Sequence, residues 1–179
     1  INFLGEYNYQ DYQDLYKKTK EGKEYLEDLF QVKIKNFVPP SNQIGKAGIK
    51  AIVNNNLNLS GLIGKRYNRE IRIKGFTTYA DRVKFSFLKK GITYPKIADY
   101  GEHKELAGFA LTPSTDWDRY YMQLEYCKNN NLPFQIATHY WEIDGKLKND
   151  FYEFIEKSLN YGMKNRFLKE VLIWKKLYL

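Results

Sequence analysis

Residues 106–142 read LAGFALTPSTDWDRYYMQLEYCKNNNLPFQIATHYWE, and the reading of this stretch decides the fold. Leu106 to Leu111 is a short apolar run ended by Thr112-Pro113-Ser114, which reads as a strand stopped by turn residues. Ser114 or Thr115 is placed to cap a helix carrying Trp117, Tyr120, Tyr121, Leu124 and Cys127 on one side. Leu132-Pro133 then turns the chain into a second apolar strand, Phe134 to Thr138, which should be buried and which His139-Tyr140-Trp141-Glu142 closes. A strand, a helix and a strand in that order imply parallel strands joined by a right-handed crossover.

The same alternation runs outward in both directions. Asp11 to Phe30 reads as a helix, with Tyr12, Leu15, Tyr16, Tyr25, Leu26 and Leu29 between charges. Val32 to Val38 alternates polar and apolar residues as a strand does, and Pro39-Pro40 stops it. Ser41 is placed to cap a helix that buries Ile44, Ile49, Ile52 and Val53, and a second strand spans Leu57 to Ile63, ending at Gly64. Beyond His139, a helix covers Leu147 to Tyr161, and Phe167 to Tyr178 closes the chain.

Lys65 to Gly101 breaks the rhythm. It mixes Gly, Pro and basic residues with short β-like pieces, Ile71-Arg72-Ile73 and Val83 to Leu88, and reads as an insertion over one end of the core. The expectation is one α/β domain over residues 1–179, with short strands covered on both faces, as in a barrel or an open sheet.

The net charge of +8 is concentrated. From Lys46 to Lys96 there are twelve Lys or Arg against two acids, Glu70 and Asp81, a local +10 that leaves −2 elsewhere. No zinc-finger spacing, Arg-rich helix or RNA-binding aromatic motif accompanies this charge, so a solvated cationic surface is favoured over a nucleic-acid partner. The single cysteine, Cys127, reads as core packing and asks for no oxidising compartment. No run approaches a membrane span and no leader is visible, so the expectation is a cytoplasmic chain, with the cell envelope as the alternative. Aromatics are abundant, 16 Tyr, 11 Phe and 3 Trp, which suits core packing or the stacking of sugar rings.

In parallel α/β folds ligands gather beyond the carboxyl ends of the strands. That rule selects Pro39-Pro40-Ser41-Asn42, Gly64-Lys65, Thr112 to Asp116, and His139-Tyr140-Trp141. His139, at a strand exit, is a candidate general acid or base, or a structural His bonded to a carbonyl. His103, in Asp99-Tyr100-Gly101-Glu102-His103-Lys104-Glu105, reads as part of a solvated loop rather than as a metal ligand with Asp99, Glu102 and Glu105. Gly61-Leu62-Ile63-Gly64-Lys65-Arg66 has the wrong spacing for a phosphate loop. Asp116 and Glu142 form at most a weak carboxylate pair of the glycosidase kind.

With Phe37-Val38-Pro39-Pro40-Ser41-Asn42 and, about a hundred residues on, Ile136-Ala137-Thr138-His139-Tyr140-Trp141-Glu142, the chain resembles the polysaccharide deacetylase (NodB-homology) superfamily, in a divergent bacterial branch. The helix Gln13 to Leu29 and the run Asp99 to Leu106 leading into Leu111-Thr112-Pro113 are similar too. The resemblance implies an irregular (β/α) barrel that removes acetyl groups from N-acetylated sugars of bacterial surface polysaccharide. It implies a divalent, zinc-type metal held by an aspartate pair and two histidines, one aspartate serving as base. His139 matches the family's late histidine, the general acid. Pro39 and Pro40 match its Arg-x-Pro-Tyr-like segment, although Phe37 and Val38 stand where an Arg is usual. Asn42, Tyr140 and Trp141 complete the expected substrate-binding set.

Nothing in the sequence matches the aspartate pair or the two metal-binding histidines. With Ile1 in place of a Met, the expectation is that the chain is the C-terminal two-thirds of such a barrel. A segment upstream, or another subunit, would then complete it. The alternative is a non-catalytic carbohydrate-binding or assembly protein on a degenerate deacetylase fold.

Overall fold

The computed structural model describes residues 5–61, 69, 73–89, 91–145 and 147–173. A single turn, α1 (Glu6–Tyr9), precedes the long helix α2 (Tyr12–Phe30). Asp11 starts α2: its carboxylate accepts from the backbone N–H of Gln13 at 2.8 Å and of Asp14 at 3.1 Å, satisfying donors that a helix start leaves free. Strand β1 is confined to Asn36–Phe37, shorter than the alternation of Val32 to Val38 suggests. The Glu27 carboxylate accepts from the Ile34 N–H at 2.8 Å, which takes that amide out of any ladder.

A 3₁₀ turn at Pro40–Asn42 follows, and α3 runs Lys46–Asn54. Its N-cap is Gly45 rather than Ser41, because Pro40, Ser41 and Asn42 are used in the turn, whose Pro40 carbonyl accepts from Gln43 N–H at 3.2 Å. Strand β2 covers Asn58–Gly61, and the expected continuation to Ile63, with Gly64 and Lys65, lies outside the described residues.

The basic stretch corrects a second expectation. Val83 to Leu88 is not β-like but the end of a helix, α4 (Ile73–Leu88), and Ile71-Arg72 lies outside the described residues. Strand β3 (Ala98–Asp99) follows and is part of the sheet, pairing antiparallel with the start of β4 (Lys104–Ala110).

Helix α5 (Trp117–Asn129) is capped by Asp116, whose Oδ1 accepts from Arg119 N–H at 3.2 Å, rather than by Ser114 or Thr115. The Thr115 hydroxyl is engaged in the turn, accepting from Thr112 N–H at 2.8 Å. Strand β5 (Gln135–Ala137), a single turn α6 (Tyr140–Ile143), α7 (Lys148–Asn160) and α8 (Leu168–Ile173) complete the order. Residues 134–138 are half-buried, not fully buried.

The sheet is mainly parallel. β1 pairs with β2, β2 with β4 and β4 with β5, all parallel, so their carboxyl ends share one edge. Because successive strand residues point to opposite faces, register assigns each side chain. Leu59 pairs with Glu105, and Phe109 with Ile136. On that face Leu59 packs with Leu15, Ile49 and Ile52 of α2 and α3, while Phe109 and Leu111 pack with Tyr120 and Leu124 of α5 and Phe154 of α7. On the opposite face Leu106 packs with Val171 and Leu172 of α8. Helices therefore lie on both faces, as parallel sheets require.

Candidate functional site

The face opposite α2, α3 and α5 carries unusually small and polar side chains toward the carboxyl ends of its strands. Ser60 pairs with Leu106, Gly108 with Gln135 and Ala110 with Ala137. Gly108 is needed for this closeness: a Cβ there would stand 3.2 Å from the Ala137 Cβ and 3.6 Å from Gly61 backbone. Ser60, fully buried, donates from its hydroxyl to Gln135 Oε1 at 2.8 Å, linking β2 to β5 although each pairs with β4 and not with the other. By alternation along β5, His139 falls on this same face.

His139 sits at the exit of β5 in extended backbone and caps α6. One carboxylate oxygen of Glu142, Oε2, accepts both from the His139 backbone N–H at 3.2 Å and from Nδ1 at 3.0 Å. With Nδ1 engaged by the Glu142 carboxylate, Nε2 is the ring nitrogen turned away from that partner. The imidazole stacks on the Trp141 ring, centroids 4.5 Å apart and planes 17° apart, and Tyr140 meets Trp141 edge-on at 5.0 Å. The group stands open to solvent: the His139 side chain is 55% exposed, Tyr140 80% and Trp141 60%. The structure thus brings His139, Tyr140 and Trp141 together, with Glu142 as the added partner.

Pro39, Pro40 and Asn42 lie at the carboxyl end of β1. Pro39 is buried and Pro40 exposed. Asn42 takes a left-handed backbone, φ 54°, and its Oδ1 stands 3.1 Å from where a Cβ on Gly61 would be. Asn42 and Pro39 therefore meet the end of β2, and Gly61 lies close to Gly108, which in turn faces Ala137 of β5. The Thr112 to Asp116 loop opens onto a cleft of about 490 Å³ between β4 and α5, lined by Thr112, Thr115, Asp116, Arg119 and Gln123 among others. Asp116 caps α5 and Glu142 is the partner of His139.

A second cluster escaped sequence reasoning. His103 is buried, not solvated, and its Nε2 bonds Glu105 Oε1 at 2.9 Å. Glu105, 2% exposed, also accepts from Arg69 Nε at 2.7 Å and Nη2 at 3.1 Å, with Arg82 Nη1 at 3.6 Å. Burial pushes the Glu105 carboxyl up, but the bond from His103 and the charge of Arg69 outweigh it and hold it below the usual range. Arg82 donates to the Tyr100 hydroxyl at 2.5 Å, and Tyr100 stacks on His103 at 5.3 Å. Asp99 turns instead to the Gly101 N–H at 2.8 Å, and among the described residues the metal set that sequence reading disfavoured, His103 with Asp99, Glu102 and Glu105, is not assembled. The carboxylate beside His103 was visible in the sequence; Arg69, 36 residues before Glu105, was not.

Among the described residues no group of three His, Cys, Asp or Glu side chains could hold a metal ion. Nor is any described helix long and apolar enough to cross a membrane. Comparison with known proteins returns no matching family model, no similar curated protein and no similar solved structure.

Proposed function

We propose that this chain carries the sugar-handling strand ends of a carbohydrate de-N-acetylase of the polysaccharide-deacetylase type, on an irregular (β/α) barrel. His139 is then the proton donor to the departing amine. One observation supports this reading above the rest: an exposed imidazole at the exit of a parallel strand, tied at Nδ1 to a carboxylate and stacked on Trp141.

In hydrolysis of an N-acetyl group, water adds to the carbonyl and the C–N bond then breaks to give acetate and an amine. The amine is a poor leaving group unless it receives a proton as that bond breaks. His139, as the imidazolium, supplies it from Nε2 and ends as the neutral ring, its Nδ1 proton kept and hydrogen-bonded to Glu142. Tyr140 and Trp141 offer exposed rings on which the sugar's C–H face stacks. The metal and base that the resemblance implies are assigned to no described residue, and no step is drawn through them.

The test is acetate release from an N-acetylglucosamine oligomer by the protein in its natural full length. His139→Ala is expected to slow release by roughly 10²–10⁴-fold, the usual contribution of a general acid. Release unchanged by that substitution would sink the proposal. The exposure of Tyr140 and Trp141 favours a second reading, a non-catalytic carbohydrate-binding protein. It expects no acetate from the wild type, glycan binding that survives His139→Ala, and binding lost in Trp141→Ala.

A further inference from the structure

The polar face beneath His139 has a second feature. Gln135, Ala137 and His139 follow one another along one side of β5, and Gly108 and Ala110 lie beside the first two on β4. The floor between Gln135 and His139 is therefore made of residues with little or no side chain. Ala110 is exposed and Ala137 half-buried, so a ligand can approach the sheet there.

Gln135 is not a free amide. Its Oε1 is fixed by the hydroxyl of Ser60, itself fully buried. With the oxygen held inward, the two N–H donors of Nε2 are presented away from Ser60. A fixed amide donor over a floor without side chains suits a neutral, oxygen-rich ligand better than an anion, since among the described residues no Lys or Arg stands in this row.

Four residue steps of extended chain lead from Gln135 to His139, about 13 Å between Cα atoms at strand rise. One sugar ring is too short to engage both side chains. Resting on the carbohydrate reading above, we propose that Gln135 builds a separate subsite, donating to a hydroxyl or carbonyl oxygen of the sugar unit neighbouring the one His139 handles. The substrate class is then an oligomer or polymer laid along β5, not a free monosaccharide.

Titration calorimetry of the full-length protein with N-acetylglucosamine and with its trimer tests this. Gln135→Glu keeps the side-chain shape and the bond from Ser60 but removes both donors. The expected result is that the wild type binds the trimer more tightly than the monomer. Gln135→Glu should then lose about tenfold in trimer affinity, the worth of one hydrogen bond, with monomer affinity unchanged. Ser60→Ala, which leaves Gln135 in place but unfixed, should cost about threefold for the trimer alone. Unchanged melting temperatures show that the variants fold; if Gln135→Glu does not fold, the Ser60→Ala result decides.

Trimer binding that needs Trp141 but is indifferent to both substitutions overturns the subsite and leaves the carbohydrate reading standing. Absence of binding to either sugar by the wild type overturns both.

Discussion

Glu105 shows how a single residue can tie distant segments together. Removing one partner of a buried ion pair leaves the others uncompensated, so Glu105→Gln is expected to lower stability at pH 7 by about 3–5 kcal/mol, measured by urea unfolding. The same carboxyl sets an acid response. Its value in the folded protein lies below the ordinary 4.5. Its stabilisation is therefore complete above that pH and is lost as pH falls through the lower, folded value. The wild type should weaken on acidification below about pH 4.5, and Glu105→Gln should flatten that part of the profile. Cys127 is the opposite kind of residue. Burial pushes its thiol up to about 11, so a disulfide reagent at pH 8 should leave it unmodified until the protein is unfolded. The sequence reading of Cys127 as core agrees with its place on α5, where the side chain is fully buried. The burial of His103 is not legible in its local turn, because the Arg69 that shares its partner Glu105 comes from 36 residues away in the chain.

At the scale of elements, two helical glycines respond in opposite directions to the same change. Gly22, inside α2, has nothing within 4 Å of a built Cβ. Gly22→Ala should therefore stabilise by about 1 kcal/mol through helix propensity. At Gly48, in α3, a Cβ would stand 2.5 Å from the Tyr7 carbonyl oxygen and 2.8 Å from Ile44 Cγ1. Backbone cannot yield there cheaply, so an overpacking cost of about 1–3 kcal/mol exceeds the propensity gain and Gly48→Ala should lower the melting temperature. The elements most legible in the sequence were those with clean spacing and a capping carboxylate nearby, α2 and α5. Helix α4 was hidden because Phe76, Phe87 and Leu88 are exposed. These break the helical period, and the β-branched and aromatic content of residues 83–88 then imitates a strand. Likewise the alternation at 32–38 is real, but Val32 and Val38 both end up exposed, so only the middle of the run joins a sheet.

The whole molecule exposes apolar surface at one end. Tyr25 and Leu29, and Leu26 and Phe30, are helical neighbours on α2, and all four are exposed, as is Val32 before β1. Among the described residues β1 pairs only with β2, so its other side is a sheet edge. The chain in isolation should show concentration-dependent self-association in sedimentation experiments, reduced by Leu29→Glu with Phe30→Lys. Wild-type protein that sediments as a monomer at every concentration would contradict this. The parallel order was legible at this scale from the repeated alternation of strand and helix. The antiparallel β3 was not, because two residues carry too little pattern.

The pairing of β4 has one more consequence, which concerns the order in which parts of the protein come apart. Its residues bind β2 at 105–107, β3 at 104–105 and β5 at 108–110, and α8 packs on Leu106. β5 has only three paired residues and no fully buried one. Backbone amides opened to deuterated water should therefore exchange last along β4 and much sooner at residues 135–142. The segment that holds His139 would peel away while the rest of the sheet is still intact. Its readiness to act would then be governed by a local opening, cheaper than unfolding, and a bound glycan should slow exchange in that segment while leaving β4 unchanged.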